Sequence, residues 1–424
     1  MFLFVGIVLL VMALGLLVPV SVLFVECFAA LLPSKSVVTE SSKSVVTESS
    51  KSEVAESSRS EAVAKESSPK IAILIPAHNE ALGIGATLET LLPQLTDQDR
   101  LVVIADNCND ETASIARNLG VTVIERQNTE LLGKGYALDY GLRFIQAEPP
   151  DVVVFVDADC IVAPGAISTI ARQAAASARP VQATYLMEQP TNPKPKDAVS
   201  ALAFMVKNLV RPSGLERLGL PCLLTGTGMA FPWSVIQTVT LASGNIVEDM
   251  QLALDLAIAG SAPQFCPNAR VIGRLPAQTA AAKTQRTRWE HGHLQTLLTQ
   301  VPRLFKASIE QRRFDLLALA LDMCVPPLSL LVMIWVAVTG LAIFAATLGT
   351  SGIPAVILSL EGVLILIAIV GAWAKFGRED LPILTLLSVP FYIAWKIPLY
   401  FSFLWRRQTK WVRTERDAVD PTKS

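Results

Sequence analysis

The sequence lacks an excess of either charge, any paired-cysteine motif, and any aromatic residue in one long polar stretch. Each absence closes off a class of function. Lys and Arg number 36 against 37 Asp and Glu, so no broad basic field argues for nucleic acid as a partner. The six cysteines, Cys27, Cys108, Cys160, Cys222, Cys266 and Cys324, are scattered, with no CxxC. That spacing argues against both a disulfide framework and a zinc site. A reducing, cytosolic setting for the middle of the chain fits it. Residues 34–67 carry no aromatic side chain: SKSVVTES at 34–41 recurs at 42–49, SKSEVAES follows at 50–57, and a degenerate copy fills 58–67. Ser, Lys and Glu in that proportion cannot bury a core. The stretch reads as a flexible tether over residues 33–69, and nothing else in it favours a phosphorylated or partner-binding repeat.

What the chain has in excess is apolar residues, 51% of 424, gathered at its two ends. The length allows two or three domains. Met1–Val25 is uncharged, and the run resumes after Glu26 to Leu32. About 20 such residues cross a bilayer. There is no basic n-region and no clear cleavage site, so residues 1–32 read as an uncleaved anchor, with a cleaved signal as the alternative. Phe314–Leu348, broken at Pro326-Pro327, reads as an interfacial helix followed by one span, and Ile353–Trp373 as a second span. Leu381–Leu404 is interrupted by Pro390, Lys396 and Pro398. It reads as interfacial or re-entrant, with a third crossing as the alternative, so the membrane segments occupy 314–404. Residues 405–424 form a tail that is basic at first. Arg303, Lys306, Arg312 and Arg313 place their flank on the cytoplasmic side. A full crossing by Leu381–Leu404 would leave Arg406–Arg416 outside, against the same rule. The expectation is a multi-pass protein of the cell membrane (inner or plasma) with its polar domain, residues 70–313, in the cytoplasm.

Within that domain β-branched runs alternate with helical stretches. Ile71–Ile75, Leu101–Ala105, Val121–Ile124 and the strand opening at Val152 alternate with helices near Gly83–Leu95, Glu111–Leu119 and Tyr136–Ile145. This is the signature of an α/β fold with a parallel, helix-covered sheet. Ligands of such sheets bind beyond the carboxyl ends of the strands. Three strand ends are polar: His78–Glu80, Asp106–Asp110 and Asp157–Asp159. Side chains at i and i+2 of an extended chain point the same way, so Asp157 and Asp159 in VVVFVDADC can converge on one divalent cation.

Five motifs follow in order: PAHNE at 76–80, ADNCND at 105–110, DAD at 157–159, VED at 247–249 and QRTRW at 285–289. With C-terminal apolar helices behind them, the set resembles the processive branch of the family 2 glycosyltransferases. That branch includes the cellulose, chitin and hyaluronan synthases and bacterial exopolysaccharide synthases. The likeness covers Lys70 to about Arg313 plus the flanking apolar segments. It implies a GT-A catalytic domain, Rossmann-like with a mostly parallel sheet.

By that resemblance Asp106 would contact the uridine of a UDP-sugar, with Pro76, His78 and Glu80 shaping the base pocket and Lys134 reaching the nucleotide. The alternative for Asp106 is a cap on the following helix. Asp157 and Asp159 would hold Mg²⁺ or Mn²⁺, Asp157 being shared with the nucleotide. Asp249 would be the general base and Glu248 its neighbour; both would also suit a plain helix N-terminus. Gly226, Thr227 and Gly228 would form an acceptor-side loop. Gln285, Arg288 and Trp289 share one helix face and would bind the acceptor or product; as an alternative, Trp and Arg anchor at a bilayer interface. His291 and His293 lack further metal ligands nearby in sequence and receive no role. The implied activity is inverting, metal-dependent transfer to a growing polysaccharide. Single transfer to a lipid is the alternative, and a non-catalytic nucleotide-sugar scaffold a third reading. With so few spans, an export channel would call for a homo-oligomer or an export partner.

Overall fold

The computed structural model describes residues 2–33, 68–188, 195–242, 247–274, 279–379, 381–386 and 388–405. The Ser/Lys/Glu repeat and the basic tail lie outside them. The polar domain is built on β1 (Ile71–Ala77), α2 (Ile84–Leu91), β2 (Arg100–Asp106), α3 (Thr112–Asn118), β3 (Thr122–Arg126), α4 (Lys134–Ile145) and β4 (Val152–Phe155). The anchor helix α1 (Phe2–Leu31) precedes them. The second half continues with β5 (Cys160–Val162), α5 (Ala166–Ser177), β6 (Val181–Glu188), α6 (Pro195–Met205), a π turn at Val206–Val210 and α7 (Arg211–Arg217). Then come β7 (Met229–Pro232), α8 (Trp233–Ile236), α9 (Glu248–Ile258), β8 (Gln264–Arg274) and α10 (Thr279–Gln311).

One eight-stranded sheet runs β3-β2-β1-β4-β7-β6-β8-β5. The expected parallel half is β3-β2-β1-β4. Beyond it the sheet turns mixed: β7 is antiparallel to β4 and β6, and β5 is antiparallel to β8, while β6 and β8 are parallel. Alternation within β1 explains why its sequence is a run rather than a stripe. Ile71, Ile73 and Ile75 pack on one face with Ile84, Leu88, Ala116 and Ile170. Ala72 and Leu74 pack on the other with Leu138, Leu252 and Leu256. A sheet covered on both faces needs apolar residues at every position.

After α10 come α11 (Phe314–Cys324), α12 (Leu328–Thr347), α13 (Ile353–Ala372), α14 (Ile383–Leu386) and α15 (Val389–Trp405). Among the described residues three helices are long and apolar enough to cross a membrane: Phe2–Leu31, Leu328–Thr347 and Ile353–Gly377. The 17-residue α15 is not one of them.

The anchor is packed into the rest of the protein. Val20, Leu23, Cys27 and Ala30 of α1 share a core with Leu202 and Val206, and with Ile365 and Ala368 of α13. A Cβ on Gly214 of α7 would fall 1.9 Å from the Glu26 carbonyl oxygen, so only glycine permits this crossing. Beside it Arg211 pairs with Glu26 at 2.6 Å and with Asp322 of α11 at 2.5 Å, all three nearly inaccessible.

The helix carrying QRTRW runs on through Pro302, which lies inside α10. Leu304, Ala307 and partly buried Val301 and Phe305 pack into one core around it, and that packing outweighs the hydrogen bond a proline removes. The strand before the DAD motif ends at Phe155, so Asp157–Asp159 sit in a turn rather than in extended chain.

Candidate functional site

Two pockets meet at the carboxyl edge of the parallel strands. The smaller, of about 200 Å³, is lined by Pro76, His78, Glu80, Asp106, Lys134, Asp157, Asp159, Gln285, Arg288 and Trp289 among others. Every residue expected at the nucleotide or the metal is therefore in one wall system. The larger, of about 290 Å³, contains Glu248 and Asp249 and shares Lys134, Asp157, Tyr185, Arg288 and Trp289 with the first.

The first pocket follows from strand ends held by local polar bonds. Asp106 closes β2 and is only 7% exposed. It pairs with Arg126 of β3 at 2.5 Å, and the backbone oxygen of Asp106 lies 2.7 Å from His78 Nδ1. Burial raises the Asp106 carboxyl above its usual range, with Arg126 opposing the shift. Asp106 does not cap the next helix. Asp110, just ahead of the Glu111 cap position, accepts from Thr112 N at 3.0 Å and from Ala81 N at 3.1 Å. Asn79 and Asn107 adopt left-handed backbone conformations, which Asn tolerates better than most residues. They stitch the neighbouring loops: Asn79 Oδ1 accepts from Asn109 N, and Asn107 Oδ1 from Asn128 N.

The DAD turn is braced from both sides. Thr87 of α2, fully buried, donates to the Ala158 carbonyl at 2.8 Å, and Asp157 N donates to Thr227 Oγ1 at 3.0 Å. The candidate ligand atoms of Asp157, Asp159 and Cys160 lie within 4.8 Å of one another. The convergence expected from alternation thus arises from a turn. Cys160 is fully buried and burial pushes its thiol well up. A hard cation prefers the two carboxylates to a protonated thiol.

At the junction Lys134 pairs with Asp157, donates to the Gly226 carbonyl at 2.6 Å and lies 3.9 Å from Glu248. Burial pulls its pKa down, but Asp157 and Glu248 outweigh burial and hold it above the ordinary lysine range. Its role as a plain surface lysine is excluded. In the glycine loop, positive φ at Gly226 and Gly228 lets the backbone pass close to Asp249 Oδ2, 3.4 Å from a notional Gly226 Cβ. Gln182 clamps that loop, accepting from Thr225 N and donating to the Thr227 carbonyl. Of the three loop residues only Gly226 lines a pocket. Thr227 is fully buried and braces the DAD turn from behind, while Gly228 backs onto Val271 and Ala183.

Glu248 and Asp249 open α9. Burial pushes Glu248 up to about 7, against the pull of Lys134. Burial also raises Asp249, opposed by Lys134 and Lys207. Gln285, Arg288 and Trp289 project from α10, and the Trp289 ring lies 6.0 Å from Phe204. Several wall residues escaped the sequence reading. Lys207 is a charge directly after the apolar run Ala203–Val206, a signal legible in the sequence. Arg126 gave none, since only strand pairing brings it to Asp106. Glu290 pairs with Lys396, and His291 Nε2 lies 3.1 Å from the Leu399 carbonyl oxygen. Together they fasten α15 to the QRTRW helix and account for one of the two histidines.

The strand order, the acidic turn at Asp157–Asp159 and the carboxylates across the junction agree with a glycosyltransferase of the GT-A class. The family described as "Glycosyltransferase like family 2" matches residues 69–292, just over half the chain, and the chain belongs to it. The probable glycosyltransferase YdaM of Bacillus subtilis is 26% identical over 58% of this chain and 61% of its own length. A 4,4'-diaponeurosporenoate glycosyltransferase of Staphylococcus haemolyticus is 32% identical over 22% of this chain and 25% of its own. In each case the chain spans less than two thirds of the relative. A mannosyltransferase of Pyrobaculum calidifontis, solved with GDP-Man and Mn²⁺, is 18% identical with a TM-score of 0.53, covering 96% of this chain and all of the other. That likeness supports the fold: a GT-A α/β domain with apolar helices at both ends.

Proposed function

We propose that this protein is a membrane-bound inverting glycosyltransferase that moves a sugar from a UDP-sugar to an acceptor entering beside its membrane helices. One observation carries the reading. The pocket holding Asp106 and the DAD turn opens, through Lys134, Asp157 and Trp289, into the cavity that holds Asp249. Asp106, with Pro76, His78 and Glu80, binds the uridine. Asp157 and Asp159 would hold Mg²⁺ or Mn²⁺, and the bound ion would neutralise charge on the departing diphosphate. Lys134 steadies Asp157 and closes the glycine loop over the sugar. Asp249 takes the proton from the acceptor hydroxyl as that oxygen attacks the anomeric carbon, a role worth about 10²–10⁴ in rate. Glu248 sits beside it and tunes it. Trp289 offers a flat face for a sugar ring, with Gln285 and Arg288 on the same side of α10.

The domain assignment follows: an anchor at 1–32, a linker at 33–69, the catalytic domain at 70–313 on the cytoplasmic face, and membrane segments at 314–404. Extension of a polysaccharide, as in the processive branch, is supported by the QRTRW helix at the junction. A second reading, one sugar added to a lipid, is favoured by the apolar part of the acceptor cavity's lining, which includes Leu23, Val325 and Leu328. The relative named for 4,4'-diaponeurosporenoate points the same way. The test is product analysis of purified full-length protein with labelled UDP-sugars, and with GDP-mannose as a control. Polymer supports the first reading and a single glycolipid the second. Metal-dependent UDP binding with no turnover of any sugar would overturn both in favour of a scaffold.

A further inference from the structure

The acceptor cavity contains five cationic side chains, and its ion pairs separate one of them from the rest. Lys134 is paired with Asp157 and Glu248, Arg211 with Glu26 and Asp322, and Lys396 with Glu290. Arg288 belongs to the shared wall already described. Lys207 lines the same cavity and, among the described residues, makes no hydrogen bond or ion pair. The carboxylates that pull on it most are Asp249, Asp322 and Glu290. Asp322 and Glu290 are committed to Arg211 and Lys396, and Asp249 stands near without pairing.

Local structure explains the placement. Lys207 lies in the π turn at Val206–Val210 that joins α6 to α7. Such turns interrupt the regular helical register, and they recur at functional sites. Val206 and Val210 are buried in the core shared with α1, while Lys207 between them lines the cavity. Buried polar atoms of the same cavity without a hydrogen-bond partner among the described residues include Thr225 Oγ1 and His293 Nε2, and also the acceptors Asn208 Oδ1 and Glu290 Oε2. Burial, then the cations Lys207 and Arg211, keep His293 well below its ordinary pKa. An ammonium, a hydroxyl and a ring nitrogen therefore line one cavity, and no protein anion among the described residues forms an ion pair with the ammonium, Asp249 acting on it without direct contact. The same cavity is also lined by the apolar side chains of Leu23, Phe204, Val325 and Leu328.

The geometry points to an anion-binding site at Lys207 that holds the single carboxylate or phosphate of an amphipathic acceptor, its apolar chain lying against Leu23, Phe204 and Leu328. This rests on the acceptor side of the proposed function and narrows it to acceptors with an anionic head group. Burial depresses the Lys207 ammonium against the pull of Asp249, Asp322 and Glu290, and an incoming anion would supply the direct ion-pair partner that Lys207 does not have among the described residues. The hydroxyl that receives the sugar would then be presented to Asp249 across the same space.

The test uses purified full-length protein in a non-ionic detergent. Dodecyl phosphate, dodecanoate and the neutral dodecyl glucoside are titrated while tryptophan fluorescence is followed, and UDP with Mn²⁺ is titrated in parallel. The expected result is at least tenfold tighter binding of one or both anions than of the glucoside. The stronger of the two identifies the head group. Lys207→Met and Lys207→Gln should each remove that preference, Lys207→Arg should keep it, and all three should bind UDP as the parent does. Equal binding of the three probes, or a preference that survives both neutral variants, would overturn the site. Loss of metal-dependent UDP binding in the parent protein would instead remove the proposed function and leave the anion result standing by itself.

Discussion

The donor pocket draws almost all its wall from consecutive strand ends between Pro76 and Asp159, closed by one helical turn at Gln285–Trp289. The acceptor cavity gathers Leu23 of the anchor, the π turn, the start of α9, the α11–α12 corner and Lys396 of α15. The first is built on one sheet edge, held by a local bond from Thr112 to Asp110 and by a longer-range one from Thr87 to Ala158. The second exists only once the apolar terminal helices and the polar domain are assembled. A site built this way can keep its nucleotide chemistry while its acceptor changes through repacking of distant helices.

That contrast can be broken at each end. Asp249→Asn should lower turnover by about 10²–10⁴ yet leave UDP binding nearly unchanged, as read by single-turnover kinetics beside a UDP titration. Comparable turnover by the variant would take Asp249 out of the mechanism. Arg211→Met attacks the assembly itself. It leaves Glu26 and Asp322 buried without a counter-ion, a loss of about 3–5 kcal/mol. Thermal unfolding should show it, with the acceptor side failing before UDP binding does. A common transition, with both activities lost together, would mean that the two ends are less separable than their construction implies. Asp159→Ala should weaken metal-dependent UDP binding by roughly ten- to a hundredfold without changing thermal stability. An unchanged Mn²⁺ titration would remove the turn from the metal site.

The smallest effect concerns the junction. Burial pushes Glu248 from 4.5 to about 7. Between those values the folded chain keeps a proton that the unfolded chain releases, so this group's contribution to stability falls as pH rises through that window. Glu248→Gln should flatten the fall by roughly 1–3 kcal/mol, measured by denaturant unfolding at pH 5 and pH 8. An identical slope in parent and variant would mean that Glu248 is ionised throughout.

Much of the donor end was legible because its signals are local. β-branched runs ending in PAHNE, ADNCND and DADC mark strand ends whatever lies elsewhere in the chain. Even there one inference had the right outcome for a different cause: Asp157 and Asp159 converge through a turn, since β4 stops at Phe155. Thr227 and Gly228 show the opposite case. Their glycine-rich sequence invites a surface role, yet pairing of β7 with β4 and β6 carries them behind the wall. Lys207 was visible as a charge directly after an apolar run, but its meaning depends on which carboxylates the fold has already committed.

The sequence by itself determined the alternating α/β order, the apolar ends and the acidic strand-end motifs. Each of these rests on periodicity or on residues a few positions apart. Tertiary structure alone decided that Arg126 pairs with Asp106, that Glu26 of the anchor pairs with Arg211, and that Lys396 reaches Glu290. The reason is physical. A charge buried far from water needs a partner within a few ångströms, and packing of elements up to 185 residues apart in the chain chooses that partner.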